Sequence, residues 1–163
     1  MSVLEDLRNS MIAQGLTKND LQLITKIAQE KHYYKDEIIF SENEQGNKIF
    51  ILAEGKVSIE RRLMPDPHLF PKQILIVKKG QIFGEMAFVE KSNRSATART
   101  KSNVRVIYIS SVDLLNLLSE HTEMAYKLMT TLAAILSKRL RRMNEQWFNA
   151  HAKSCILPEF DYH

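Results

Sequence analysis

The chain has 163 residues and a mass of 18.9 kDa, which suits a single compact domain. Apolar residues make up 44% and charged residues 26%, so the composition excludes wholesale disorder, a collagen-like repeat and a disulfide scaffold. No run approaches the roughly 20 apolar residues of a membrane span, and residues 1–16 lack the pattern of a signal peptide. The single cysteine, Cys155, cannot form an internal disulfide. We therefore expect a cytoplasmic protein.

The charge is mildly basic, with 23 basic and 19 acidic residues giving a formal charge of +4. Much of the excess lies in one run at 138–142 (KRLRR). Such a balance favours anionic partners without choosing between nucleotide, nucleic acid and lipid. A solvated surface explains these charges equally well.

The first 30 residues have the apolar spacing of two helices separated by Gly15. Thr17 and Asp20 have the spacing of a capping box at the start of the second helix. From about residue 33 to 110, short β-type runs alternate with turn residues, and Glu54-Gly55 is a hairpin signal. The predicted strands are 37–40, 48–52, 56–60, 73–77 and 104–109, with a proline-containing loop at 64–71.

Beyond Ser111 the spacing is helical again, with a short helix at 112–118 and a long one at about 123–150. Apolar residues recur along the long helix with spacings 4-3-4-4-3-4, which is typical of a coiled-coil seam with one irregular step. The seam predicts either a homodimer through this helix or packing against the chain's own sheets. Its members are Ala125, Met129, Leu132, Leu136, Leu140, Met143 and Trp147.

Together these elements predict an α+β fold. Its centre is a β-roll (double-stranded, antiparallel and jelly-roll-like), flanked by N-terminal helices and a long C-terminal helix. We expect one domain over residues 1–163. It comprises helices in 1–32, the roll in 33–110, C-terminal helices in 111–150 and a tail in 151–163.

Signatures of catalysis are missing from the sequence. Neither G-x-x-x-x-G-K-[ST] nor G-x-G-x-x-G is present, and no G-x-S-x-G elbow occurs. The five histidines stand far apart, and Cys155 lies in the tail. We therefore expect no enzyme, no metal site and no cofactor.

Residues 80–98 place a glycine, a carboxylate and an arginine in one connection between strands. Gly84 allows a close backbone approach to a ligand, and Arg94 offers a planar fork to two phosphate oxygens, with the Ser95 hydroxyl beside it. Glu85 can only accept hydrogen bonds when ionised, so it suits a sugar hydroxyl. These groups can hold a ribose-phosphate; a β-turn with a surface arginine is the alternative.

The same segment resembles the phosphate-binding cassette of cyclic nucleotide-binding domains, which occur in catabolite-activator-type regulators, kinase regulatory subunits and gated channels. The family pattern is F-G-E-[LIM]-[AG]-hydrophobic, a short loop, then R-[AST]-A. This sequence reads FGEMAF at 83–88 and RSAT at 94–97, and the nine-residue step from Glu85 to Arg94 fits the family. The resemblance covers most of the chain, including the strand and hairpin at 34–57 and the helix at 138–144.

The sequence departs from the family pattern at three positions. Asp36 and Asn43 stand where the family commonly has glycine, and both residue types tolerate left-handed or turn geometry. Asn93 replaces a frequent proline before the arginine. None of these changes removes a phosphate ligand.

The resemblance implies that a cyclic nucleotide, cAMP or cGMP, binds in the cassette at 83–97. Arg94 would pair with the cyclic phosphate and Glu85 would accept the ribose 2′-hydroxyl. Backbone N–H groups of Gly84, Met86 and Ala87 and the hydroxyl of Ser95 would assist, and Met143 and Asn144 on the long helix are candidate base contacts.

The resulting hypothesis is a non-catalytic sensor that signals through its C-terminal helix to a downstream protein. One alternative is the sensor half of a transcription regulator whose DNA-binding part is absent, since only about 13 residues follow Ala150 and a helix-turn-helix unit needs several tens. The other alternative is an interaction module that keeps the fold without a ligand.

Overall fold

A computed structural model describes residues 2–61 and 72–152. The predicted loop at 64–71, Cys155 and nearly all of the predicted tail lie outside the described residues. The helices are α1 (Val3–Arg8), α2 (Lys18–Ile27), α3 (Glu85–Glu90), α4 (Ser111–Glu120) and α5 (Thr122–Ala152), with a 3₁₀ turn at Met11–Ala13. The strands are β1 (Ala28–Tyr33), β2 (Ile38–Phe40), β3 (Lys48–Glu54), β4 (Val57–Arg61), β5 (Lys72–Val77), β6 (Ile82–Phe83), β7 (Thr97–Thr100) and β8 (Val104–Ser110).

The strands form two four-stranded antiparallel sheets. One sheet has the order β1-β8-β3-β6 and the other has the order β2-β7-β4-β5. Helices α1 and α2 precede the sheets in the chain, and α4 and the long α5 follow them. The predicted fold class, a β-roll with helices at both ends, is confirmed.

Strand β3 contributes side chains to both apolar clusters of the core. Phe50 and Leu52 belong to the cluster between the sheets, whereas Ile49 and Ile51 belong to the cluster that the helices cover. Alternate side chains of a strand point to opposite faces, so a strand buried on both faces reads as a continuous apolar run. This placement accounts for the sequence IFIL at 49–52.

The connection after β3 is not the predicted hairpin. Strands β3 and β4 lie in different sheets, so the Glu54-Gly55 turn carries the chain from one sheet to the other. Gly55 has φ +89°, and a Cβ there would lie 2.4 Å from the carbonyl oxygen of Asn103. Glycine is needed for a tight crossing between sheets, and the same sequence signal serves hairpin turns.

Strand β1 also differs from the sequence prediction. The apolar spacing predicted helix to residue 30 and the roll from residue 33, whereas α2 ends at Ile27 and β1 begins at Ala28. The middle of β1 is exposed and shows no alternation. It is a strand because its backbone pairs with β8, from Ala28 opposite Ile109 to Tyr33 opposite Val104. Tertiary pairing here overrides local preference.

The helix predictions are confirmed more closely. The Thr17 side chain accepts from the Asp20 N–H, and the Asp20 carboxylate accepts from the Thr17 N–H, which completes the predicted capping box.

The predicted seam on α5 has a buried part and an exposed part. Leu132 packs in the chain's own core, whereas Leu140, Met143 and Trp147 are exposed.

An ion cluster centred on the buried Arg105 fastens α1 to the first sheet. Arg105 of β8 lies 2.8 Å from Asp6 of α1, 2.8 Å from Glu30 of β1 and 2.9 Å from Glu54 of β3. The Asp6 contact is an ion pair, because neither carboxylate oxygen has a well-aligned hydrogen-bond donor among the described residues. The Arg105 hydrogen bonds and charge hold the pKa of Glu54 below its ordinary value. One guanidinium therefore serves three carboxylates.

We expect Arg105→Gln to lower the free energy of unfolding by about 3 kcal/mol at pH 7, because Asp6 would remain as an unpaired buried charge. A carboxyl whose pKa is lowered in the folded state stabilises above its unfolded pKa and loses that effect as pH falls. The difference between wild type and variant should therefore shrink from pH 7 to below pH 4, as measured by urea unfolding. A difference independent of pH would contradict the role of the ion cluster.

Candidate functional site

The short connection between β6 and β7 brings the predicted site residues together. Gly84 follows β6 directly, Glu85 is the first residue of α3, and Arg94 lies in the segment before β7. The Nη1 of Arg94 donates to the carbonyl oxygen of Gly84 at 2.8 Å. The negative charge of Glu85 acts on the Arg94 guanidinium in the direction that raises its pKa. These three residues therefore form one local unit.

Gly84 has a conformation and a neighbour that both require glycine. Its φ is +74°, in the left-handed region, and a Cβ there would lie 2.7 Å from Nη1 of Arg94. The left-handed turn directs the chain from β6 into α3 and lets the guanidinium approach the backbone. Gly84 thus sets both the start of α3 and the position of Arg94.

We expect Gly84→Ala to lower the free energy of unfolding by about 2 kcal/mol, since a Cβ costs energy at positive φ and would also displace Arg94. Gly15→Ala is a matched control, because Gly15 has φ +83° but nothing lies within 4 Å of a Cβ there. Chemical unfolding of the two variants separates the clash from backbone strain. Equal destabilisation would contradict the steric role of Gly84.

Arg94 is buried, and both terminal nitrogens of its guanidinium donate hydrogen bonds to backbone carbonyl oxygens. Its side chain donates from Nη1 to Gly84 and from Nη2 to the carbonyl oxygen of Lys48, each at 2.8 Å. The guanidinium lies 4.2 Å from the centre of the Phe40 ring, and the Arg94 N–H donates to the carbonyl oxygen of Glu44 at 2.8 Å. The predicted alternative, a surface arginine on a turn, is wrong because Arg94 is only 4% exposed.

The electrostatic state of Arg94 favours an anionic neighbour. Burial lowers its pKa, and the charges of Glu44 and Glu85 offset part of that effect. A guanidinium has five N–H groups, of which two serve carbonyl oxygens here, and Nε has no partner among the described residues. A desolvated cation with unused donors would be stabilised by phosphate oxygens.

Glu85 is paired with the C-terminal helix. Its carboxylate is 1% exposed, and Oε1 accepts a hydrogen bond from Nη1 of Arg139 in α5. The Nη2 of Arg139 donates to the carbonyl oxygen of Ile82 in β6. One arginine therefore joins α5 to both sides of Gly84.

The sequence interpretation included Arg139 in the basic run and gave it no individual role. A signal was present in the spacing of α5, where the buried stripe Met124, Leu128, Leu132 and Ile135 continues to residue 139. Positions three and four apart share one face of a helix. An arginine that continues a buried apolar stripe reaches toward the core and needs a partner there. Glu85 is that partner.

The remaining cassette residues lie at the surface beside this unit. Ser95 is exposed, and its hydroxyl contacts the sulfur of Met86 at 3.8 Å. Met86 is 42% exposed, whereas Ala87 is buried against the backbone near Gly46. Met86 and Ala87 lie in the first turn of α3, where backbone N–H groups have no partner within the helix.

The two candidate base contacts lie beyond Arg139 on α5. Met143 is one turn further along the same side of the helix, whereas Asn144 is rotated by about 140° from Arg139. Both residues are exposed. Their role as base contacts stays a prediction.

The two residues that replace family glycines adopt the backbone conformation that glycine would supply. Asp36 and Asn43 both have φ +68°. The Asn43 N–H donates to the carbonyl oxygen of Arg94 at 2.9 Å, so this left-handed residue helps to hold the cassette arginine. The expectation that both substitutions are tolerated agrees with this geometry.

Comparison with known families identifies the family to which this chain belongs. The family model of the cyclic nucleotide-binding domain matches residues 30–121, which include the whole connection from Gly84 to Arg94 and both sheets except the first two residues of β1. The chain belongs to the cyclic nucleotide-binding domain family. The resemblance inferred from the cassette residues is confirmed.

Curated relatives within the family differ in overall function. The chain is 29% identical over 140 residues to a CRP-like cAMP-activated global transcriptional regulator of Mycobacterium tuberculosis, covering 86% of this chain and 59% of the regulator. It is 32% identical over 97 residues to human cGMP-dependent protein kinase 2, covering 60% of this chain and 12% of the kinase. This cyclic nucleotide-binding chain therefore spans less than two thirds of each relative.

Solved structures agree on the fold. The Thermus thermophilus catabolite activator protein is 25% identical, with a TM-score of 0.71 over 85% of this chain and 62% of that one. A cyclic nucleotide-binding domain from Methylobacillus flagellatus KT has a TM-score of 0.79 over 96% of this chain and 86% of that one. It is 17% identical, so the likeness supports the fold alone.

The described parts of this cyclic nucleotide-binding chain offer neither a metal centre nor a membrane span. No group of three or more His, Cys, Asp or Glu side chains in residues 2–61 and 72–152 is arranged to hold a metal ion. In the same residues, no helix combines the length and the apolarity needed to cross a bilayer.

Proposed function

We propose that this chain is a non-catalytic sensor of a cyclic mononucleotide, cAMP or cGMP, whose binding is transmitted through α5. Arg94 pairs with the cyclic phosphate, and Glu85 accepts the ribose 2′-hydroxyl. Additional phosphate donors come from the backbone of Gly84, Met86 and Ala87 and from the hydroxyl of Ser95.

The observation that carries this proposal is the state of Arg94. It is buried, it lies at no ion-pair distance from a carboxylate of the described residues, and it retains unused N–H donors. Keeping such a cation desolvated is unfavourable unless an anion compensates it. Glu85 lies on the same connection, and a ribose-phosphate supplies both an anion and a hydroxyl.

Transmission to α5 follows from the Arg139 contacts. Glu85 is an acceptor for Arg139, and a ribose hydroxyl would be a second donor to the same carboxylate. A ligand that adds a donor at Glu85 changes the free energy of the α5 contact. It thereby shifts the population of α5 conformations by the difference in its affinity for them.

We further propose that the chain forms a homodimer through the distal part of α5, residues 136–150. Leu136, Leu140, Met143 and Trp147 span an arc of about 60° on the helix, which is the narrow stripe of a coiled coil. Leu140 and Met143 are 60% and 53% exposed, so these two positions can contact a second copy. A dimeric mass in sedimentation that becomes monomeric in Leu140→Arg would support this; a monomeric wild type would exclude it.

The identity of the base is a separate question, because the relatives include a cAMP-activated regulator and a cGMP-dependent kinase. Calorimetric titration with cAMP and cGMP tests the sensor directly. We expect a Kd of about 1 µM or lower for at least one nucleotide. The ratio of the two affinities identifies the base.

The titration also separates the alternatives. Binding to neither nucleotide would favour an interaction module that keeps only the fold. The sensor half of a transcription regulator would bind nucleotide in the same way, so binding alone leaves the output open. In that case the described residues supply the sensing unit and DNA contacts would come from other sequence.

A further inference from the structure

Met86 and Ser95 form a small exposed pair at the edge of the cassette. Met86 is 42% exposed in the first turn of α3, and the hydroxyl of Ser95 donates toward its sulfur with an Oγ–Sδ distance of 3.8 Å. Ser95 is exposed as well. The same two residues are assigned phosphate donors in the proposed function, so the sulfur competes with the phosphate for one proton.

The strength of that competition depends on the oxidation state of sulfur. A serine hydroxyl has a single proton to donate, and a thioether is a weak acceptor. The Ser95 proton is therefore easily redirected to a phosphate oxygen. A sulfoxide is polar and its oxygen is a much better acceptor, so it would retain the proton and set a negative dipole beside the phosphate.

We infer that Met86 is a redox-sensitive modification site that controls access to the cassette, an inference that rests on the proposed function. A peroxide is the oxidant. The sulfur lone pair attacks one oxygen of hydrogen peroxide, an S–O bond forms and the O–O bond breaks. The leaving hydroxide takes the proton of the new S–OH group, which gives water and the neutral sulfoxide. Sulfur is oxidised by two electrons to the sulfoxide and the peroxide is reduced.

Other described methionines provide the comparison. Met124 is buried at 2% exposure, whereas Met129 and Met143 on α5 are 37% and 53% exposed. Exposure alone therefore predicts oxidation at several positions. Met86 is distinguished by its hydroxyl contact and by its place in the cassette, so only its oxidation should change the phosphate donors.

The test compares each protein with itself before and after hydrogen peroxide. Peptide mass spectrometry locates the sulfoxides, and calorimetry measures the nucleotide Kd. We expect oxidation to raise the Kd of wild type and of Met129→Leu by about fivefold, the effect of losing one hydrogen bond. All proteins in this comparison carry Met143→Leu, so that oxidation of this candidate base contact cannot change the Kd. In that background the Kd of Met86→Leu should change less than twofold, and methionine sulfoxide reductase should restore the protein that retains Met86.

Two results would overturn the inference. One is an unchanged Kd in wild-type protein whose mass spectrum shows Met86 fully oxidised. The other is an unoxidised Met86 under conditions that oxidise Met129.

A readout without nucleotide keeps the inference separate from the proposed function. The hydroxyl of Ser95 withdraws electron density from the sulfur, so Ser95→Ala should accelerate oxidation of Met86 relative to Met129 in the same protein. Equal relative rates in wild type and Ser95→Ala would show that the contact has no chemical effect. Failure of unoxidised wild type to bind either nucleotide would instead contradict the sensor proposal.

Discussion

Arg94→Ala should weaken cyclic nucleotide binding by about 10- to 100-fold, the effect of losing a charge-assisted phosphate partner worth roughly 1.5–3 kcal/mol. The guanidinium is buried and lies against Phe40 and two carbonyl oxygens. Within residues 2–61 and 72–152, no second cationic side chain donates to the same two carbonyls. The loss should appear as a raised Kd in calorimetric titration of the variant beside wild type.

Two controls isolate the role of Arg94 in binding from its role in folding. Arg94→Lys keeps the charge but cannot bond the Gly84 and Lys48 carbonyls and a phosphate together with a single ammonium. Arg8→Ala removes the same charge from an exposed position in α1. We expect reduced affinity in Arg94→Lys and wild-type affinity in Arg8→Ala. A folded Arg94→Ala with unchanged Kd would refute the phosphate role.

Arg139→Gln should release the distal part of α5 from the cassette. The substitution removes the charged partner of the buried Glu85 and the donor to Ile82, so we expect a loss of about 1–3 kcal/mol in the free energy of unfolding. Amide hydrogen exchange in residues 136–150 should accelerate. Nucleotide should alter exchange in this segment of wild type and leave the variant unchanged.

Arg141→Gln is the matched control, because Arg141 lies on the same helix and is exposed. Amide hydrogen exchange in residues 136–150 of Arg141→Gln should equal that of wild type. A double-mutant cycle with Glu85→Gln measures the pair directly, and a coupling energy near zero would mean that the two side chains act independently.

Local sequence signals were sufficient for most of the architecture. The capping box at Thr17 and Asp20 depends on neighbours three residues apart, so the sequence specifies it fully. Strand β3 is recognisable because burial on both faces leaves a continuous apolar run. Strand β1 escaped prediction because its pairing with β8 joins residues far apart in the chain. The partner strand, and not its own polar composition, makes it a strand.

The residues of the candidate site also divide into those that local sequence predicts and those that depend on distant parts of the chain. Gly84, Glu85 and Arg94 lie within eleven consecutive residues, so the motif brings them together in any chain that forms this connection. Arg139 is 54 residues from Glu85, and its partner depends on how α5 packs across the sheet. The basic run therefore indicated charge, whereas the tertiary fold determines which of its arginines pairs with Glu85.

The fixed side chain of Arg94 has a consequence for the kinetics of recognition. Ordering a long, flexible side chain costs up to about 2 kcal/mol of conformational entropy. Here the carbonyl oxygens of Gly84 and Lys48 and the ring of Phe40 already restrict the rotamer before any ligand arrives. The entropy is lost during folding, so an anion that binds at Arg94 would meet a preorganised side chain. Association can then proceed without waiting for the arginine to find its conformation.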